Sequence, residues 1–141
     1  MIILVERPPI WDEAIKVFDL EKHKPIFAWG PETIYNPYDH KLTTELIAHE
    51  DMHMQRQGKT VAFWWRDYLA SANFRLEEEI PAHRAEYRQL LRDYGNTRNN
   101  RRRLLSRVAA RFRNPLYGYN HLISMEQAKA WIALDEDEYR D

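Results

Sequence analysis

The stretch "LIAHEDMHMQRQG", residues 46–58, sets His49, Glu50 and His53 in the order His-Glu-x-x-His. Thr43 or Thr44 can cap a helix here, Glu45 in its first turn complements the dipole, and Gly58 ends it. Residues four apart on a helix point the same way, so His49 and His53 can grip one ion from a single face. Glu50 lies about 100° around from His49, beside that face, where its carboxylate can take a proton from water without filling a ligand position. The competing reading is a charged surface helix that holds two histidines and an acid by coincidence.

A metal site of this kind needs a third ligand from a later segment. "RLEEEIPAHRAEY" (75–87) supplies carboxylates. Glu79 is the first choice, because it opens the spacing Glu-x-x-Ala with Ala82; Glu78 and His83 are the reserves. Glu77 reads as part of a solvated acidic face. Pro81 should kink this segment or lie in its first turn, and a kink could re-aim the residues before it.

Around these segments the pattern is strand, helix, strand, strand, then helices to the end. "IILVE" (2–6), "PIFAW" (25–29) and "ETIYN" (32–36) read as strands, the last two joined by a turn at Gly30-Pro31. Helical spacing marks 10–20, 60–94 with Gly95 as a stop, 98–113 and 124–133. The predicted fold is α+β: a small sheet from residues 1–36 packed beside a mainly helical remainder, one domain over 1–141. Residues 42–94 hold the metal-binding helices, and 98–141 form the C-terminal helices and acidic tail.

Composition sets outer limits. The chain has 141 residues, 44% hydrophobic, 30% charged and 13% aromatic, which suits one globular core. A net charge of −1 argues against a dedicated nucleic-acid or membrane-surface protein. With no cysteine, a zinc site must draw on His, Asp or Glu. The N-terminus lacks the basic and small-residue signals of a leader, and no apolar run approaches the roughly 20 residues that span a bilayer. A cytoplasmic protein, without membrane contact, is expected.

The stretch from "FAWGPETIYNPYDHKLTTELIAHEDMHMQRQG" through "FRLEEEIPAHRAEY" resembles zincin metallopeptidases of the glutamate-ligand (gluzincin) type, especially the minimal versions often encoded by bacteriophages. In that group a strand with "IYNP" precedes a His-Glu-x-x-His-x-x-Gln helix, and a later helix carries Glu-x-x-Ala. Here Ile34 to Pro37, then His49, Glu50, His53 and Gln57 (shifted by one), then Glu79 and Ala82 fill these places. "NPLYGYNHLISMEQAKAWI" is similar to the tail of such phage proteins, so the resemblance covers roughly residues 25–133.

The resemblance implies that an edge strand pairs with extended substrate, with Thr33, Ile34 and Tyr35 in that role. It also implies an oxyanion stabiliser, for which Tyr117, Tyr119 and His121 are candidates, with Tyr94 behind them. Each tyrosine equally suits core or rim packing. His23 and His40 read as surface residues.

"RNNRRRLLSRVAARFR" (98–113) puts Leu104, Leu105, Val108, Ala109 and Phe112 on one face and spaces Arg103, Arg107 and Arg111 four apart. Such a row needs an anion. Neutralisation by Asp135, Glu136, Asp137 and Glu138 is the expectation, ahead of phosphates; a nucleic-acid partner is not favoured.

The predicted activity is zinc-dependent peptide-bond hydrolysis. His49, His53 and Glu79 bind one zinc ion per chain, Glu50 is the general base, and the partner is a peptide or protein substrate. A phage origin would place the protein in the host cytoplasm. The alternative is a non-catalytic module on the same scaffold, binding a host protein or nucleic acid through its groove or arginine helix. A narrower variant is a peptidase of cell-wall cross-links. Sequence leaves the oligomeric state open.

Overall fold

A computed structural model describes residues 1–133. The fold is α+β, a three-stranded sheet near the N-terminus beside a mainly helical remainder. The strands are β1 (Ile2–Leu4), β2 (Phe27–Trp29) and β3 (Thr33–Tyr35). The helices are α1 (Trp11–Ala14), α2 (Leu20–His23), α3 (Thr44–Gln57), α4 (Val61–Ala70), α5 (Ala72–Tyr94), α6 (Arg98–Ala109) and α7 (Met125–Ile132). The helix expected over 10–20 breaks in two. α1 ends after one turn, and Asp19 starts α2 by accepting the Lys22 N–H at 3.3 Å. A local cap here outcompetes the helical periodicity.

The sheet order is β1-β3-β2, with β1 parallel and β2 antiparallel to β3. Thr33, Ile34 and Tyr35 therefore form the central strand. Both of their hydrogen-bonding edges are taken, and Ile34 is fully buried, so they cannot add a substrate strand as expected from sequence. The strand beside α3 is β2, at the sheet's edge. Its outer edge is clamped by Gln57: the Gly30 N–H donates to Gln57 Oε1 at 2.7 Å, and Gln57 Nε2 donates to the Ala28 carbonyl at 2.9 Å. Trp65 Nε1 donates to the same carbonyl at 2.9 Å. The approach is close at Gly30, where a Cβ would stand 3.1 Å from the Met54 carbonyl and α3 would have to give by a few tenths of an ångström.

α3 starts where the sequence places it: the Thr43 side chain accepts from the Leu46 N–H, and Gly58 ends the helix at φ 60°. α5 runs unbroken through Pro81, which gives up one intrahelical hydrogen bond. Two large apolar cores form, and a small cluster of Ala28, Ile34 and Met54 ties the sheet to α3. One joins α5, α6 and α7 through Leu90, Leu104, Val108, Phe112 and Ile132; the other packs Phe18 and Phe27 on Trp64, Trp65 and Tyr68 of α4. Each fully buried side chain of this size contributes about 1.5–3 kcal/mol. Packing of this kind explains how polar groups can be held in the seam between the cores. Among the described residues, no helix is long and apolar enough to cross a membrane.

Candidate metal centre

α3 and α5 face each other along that seam and put their polar residues into it. His49, Glu50 and His53 of α3 and Glu79 of α5 are all buried, Glu79 at 1% exposure. His49 Nε2 and His53 Nε2 each lie 3.2 Å from Glu79 Oε1, and His53 Nε2 lies 2.8 Å from Oε2. Glu79 Oε2 is buried and makes no hydrogen bond of sound geometry despite that proximity. Buried polar atoms rarely go unsatisfied. Glu79 Oε1 is within hydrogen-bond reach of both imidazoles while Oε2 is left over, and a cation shared by the three side chains could satisfy it. Two ligand atoms of a tetrahedral ion with bonds of about 2.0–2.1 Å stand about 3.3 Å apart, close to the 3.2 Å between each imidazole Nε2 and Glu79 Oε1. These three residues could hold a metal ion.

Glu78 takes no part. Its Oε2 accepts from Arg56 Nη2 at 2.7 Å and its Oε1 from Trp64 Nε1 at 2.7 Å, which ties the end of α3 to α4 and α5. His83 is also engaged elsewhere, with its Nδ1 3.1 Å from Glu86 Oε1. His49 Nδ1 meets the same oxygen at 3.0 Å. An ionised carboxylate only accepts, so both ring nitrogens donate, leaving His49 Nε2 to face Glu79. Carboxylate support behind a ligating imidazole fixes its tautomer and raises its basicity.

His49, His83 and Glu86 form a second group with ligand-like spacing. The Arg111 guanidinium is paired with the free oxygen of Glu86, and a cation already on that carboxylate disfavours a second one. The group reads as a hydrogen-bonded support for His49.

Electrostatics follow from this geometry. Burial opposes charge on His49, but the carboxylates of Glu79 and Glu86 hold its pKa well above the ordinary histidine value. Glu79 is held well below the usual carboxylate range, burial being overcome by the two imidazoles. Glu86 is lowered likewise, by hydrogen bonds from His49 and His83 against its burial. Glu50 moves the other way: burial, with help from Glu79 and Glu86, raises its pKa. That direction suits a carboxylate that must accept and return a proton near neutrality.

A cavity of about 30 Å³ adjoins the triad, lined by Glu50, His53, Glu79, Trp64, Tyr68 and Tyr117. It has room for a water or two. Tyr117 is thus the oxyanion candidate that reaches the site. Tyr119 is fully buried in the α5–α6–α7 core, and His121 and Tyr94 are exposed and line neither cavity beside the triad. The Tyr117 and Tyr119 rings stack with centroids 5.6 Å apart, and of the two only Tyr117 lines the cavity. Tyr68 joins Tyr117 there. Burial, followed by the Glu79 charge, raises both pKa values, so both hydroxyls stay protonated and can donate. Sequence reading missed Tyr68, which is hard to tell from a core aromatic next to Trp64 and Trp65. It also missed Glu86, whose signal was available: seven residues past Glu79 is two helical turns along the same face.

The arginine row is neutralised in part within the described residues. Arg111 pairs with Glu86, and Arg107 lies 3.7 Å from Glu45. The expected partners Asp135 to Glu138 lie outside the described residues. Comparison of the chain with protein-family models, with curated proteins and with solved structures finds no match.

Proposed function

We propose that this chain is a zinc-dependent peptidase of the gluzincin kind. One observation carries the reading: two imidazoles from α3 and one carboxylate from α5 converge in a buried seam, with Glu50 at their side and a water-sized space before it. Two histidines and a carboxylate make a donor set suited to zinc, and three protein ligands leave a coordination position open. When bound, the ion supplies a Lewis acid that polarises a carbonyl and makes water more acidic.

The chain's own groups do the rest. Glu50 takes the proton from the attacking water and later delivers it to the leaving amine. Its raised pKa keeps both transfers within reach. Tyr68 and Tyr117 turn hydroxyls toward the charge that develops on the carbonyl oxygen. Glu86 holds the His49 ring in one orientation through Nδ1, and Arg111 pairs with the other oxygen of Glu86. The apolar wall of Trp64, Phe27 and Phe18 limits access of bulk water.

The deep burial of all four polar residues also suits a second reading, a binding module stapled by a metal that never meets substrate. The Glu50→Gln variant separates the two. The peptidase reading expects zinc-loaded parent to cleave members of a peptide library, and Glu50→Gln to keep its zinc while losing about 10²–10⁴-fold in rate. A parent that takes up zinc and cleaves nothing leaves the binding module as the better description.

A further inference from the structure

A larger cavity, of about 250 Å³, also borders Glu50 and is walled by His49, Glu50, Lys24, Arg111, Asn114 and Tyr117. It falls below the roughly 300–1,000 Å³ of pockets that enclose drug-sized ligands. Its size suits the short end of a substrate rather than a long chain threaded through. Its polar rim is the informative part. Glu86 faces this space but is spent on three donors: His49, His83 and Arg111. Arg111 uses Nε for that pair, and its outer nitrogens have no partner among the described residues; its side chain is 41% exposed. The Lys24 ammonium likewise has none, while its backbone, in the left-handed region at φ 47°, is held by His40 Nε2 on the Lys24 carbonyl at 2.6 Å. Asn114 commits Oδ1 to the Leu116 N–H at 3.0 Å, which leaves its amide nitrogen to donate. Two residues that carry cations, Arg111 and Lys24, and one that carries an amide thus line a space that also borders the proposed general base.

We propose that this cavity is a carboxylate-recognition subsite, in which Arg111 and Lys24 bind a carboxylate carried within about one residue of the cleaved bond. The proposal rests on the peptidase reading for its meaning, but its test does not. A planar guanidinium can pair with Glu86 along one edge and with a second carboxylate along the other. The carboxylate could be a peptide's C-terminus or an acidic side chain.

The test uses zinc-loaded Glu50→Gln protein, which should hold peptides without cutting them, and calorimetric titration with three probes. These are acetyl-Ala-Ala with a free C-terminus, the same dipeptide as its amide, and acetyl-Ala-Glu as its amide. The free acid or the Glu probe should bind at least about 10-fold tighter than the plain amide, and whichever does so identifies the source of the carboxylate. Adding Arg111→Gln or Lys24→Asn (asparagine tolerates the left-handed backbone) should remove most of that preference with zinc content unchanged. If Arg111→Gln loses zinc through Glu86, Lys24→Asn decides. Equal binding of all three probes overturns the proposal. So does a preference that survives both variants, since the carboxylate would then sit on the ion itself. If the parent cleaves no member of the peptide library while the preference appears and depends on Lys24, the subsite stands and the peptidase reading falls.

Discussion

Glu86→Gln is the most informative single substitution, because it leaves every proposed ligand in place. Glu86 accepts from His49 Nδ1 at 3.0 Å and from His83 Nδ1 at 3.1 Å, and it carries the Arg111 ion pair. An amide of the same shape keeps one acceptor oxygen, loses the charge, and must turn an NH₂ toward one of these donors. Loss of such support behind a ligating histidine lowers metal affinity about 10–100-fold, or about 1.4–2.7 kcal/mol. Stability should fall as well. Breaking a fully buried pair costs about 3–5 kcal/mol, but Arg111 is partly exposed and can rehydrate, so about 1–2 kcal/mol is expected. Competition with a chromogenic chelator measures the first quantity, and denaturant unfolding of the metal-free protein the second. Zinc affinity within twofold of the parent would refute the idea that Glu86 orients His49.

Three further outcomes are expected. Gln57→Ala removes the acceptor of the buried Gly30 N–H while Ala28 keeps Trp65, so unfolding should show a loss of about 1–3 kcal/mol; no loss would mean that β2 does not depend on this clamp. Tyr117→Phe and Tyr68→Phe should each lower kcat, by up to about 10²-fold for the ring that faces the reacting carbonyl, with KM little changed; two fully active variants would leave the site without an oxyanion donor. Zinc uptake should be pH-dependent. A ligating imidazole must be neutral, and His49 holds its proton above the ordinary histidine range in the metal-free chain. Affinity should therefore rise by up to about tenfold per pH unit from about pH 6 upward, until His49 is neutral, with proton release visible when buffers are compared. The metal-free protein shows the opposite sign for this group: the stability His49 contributes is full below its unfolded pKa of about 6.5 and is lost as pH rises through the folded value. Glu79 and Glu86 contribute stability above their unfolded pKa of about 4.5 and lose it as pH falls. Uptake that does not vary with pH would contradict the protonation state assigned to His49.

What was legible in the sequence followed from local rules. Helix capping by Thr43, the stop at Gly58 and the apolar face of α6 at Leu104, Val108 and Phe112 depend on residues within a few positions of each other. The same holds for the convergence of His49 and His53, which needs only a helical repeat. Glu79 was a candidate through its Glu-x-x-Ala spacing, and the structure separates it from Glu78 by giving Glu78 to Arg56 and Trp64. Strand order was not legible. Nothing local shows that β1 pairs parallel beside β3 and so makes Thr33 to Tyr35 central. The pairing of Glu86 with Arg111 was hidden for a related reason, since it joins α5 to the turn after α6 and closes only when that segment folds back on α5. Tyr68 was masked by its own aromatic neighbours.

The most direct measurement is zinc X-ray absorption on stoichiometrically loaded protein, taken with Glu79→Ala and with Glu78→Ala. The expected result is one ion per chain with two imidazole nitrogens and carboxylate oxygen in its shell, the oxygen contribution changed by Glu79→Ala and untouched by Glu78→Ala. A chain that takes up no zinc, or a shell that both variants leave unaltered, would contradict the convergence of α3 and α5 on a shared cation.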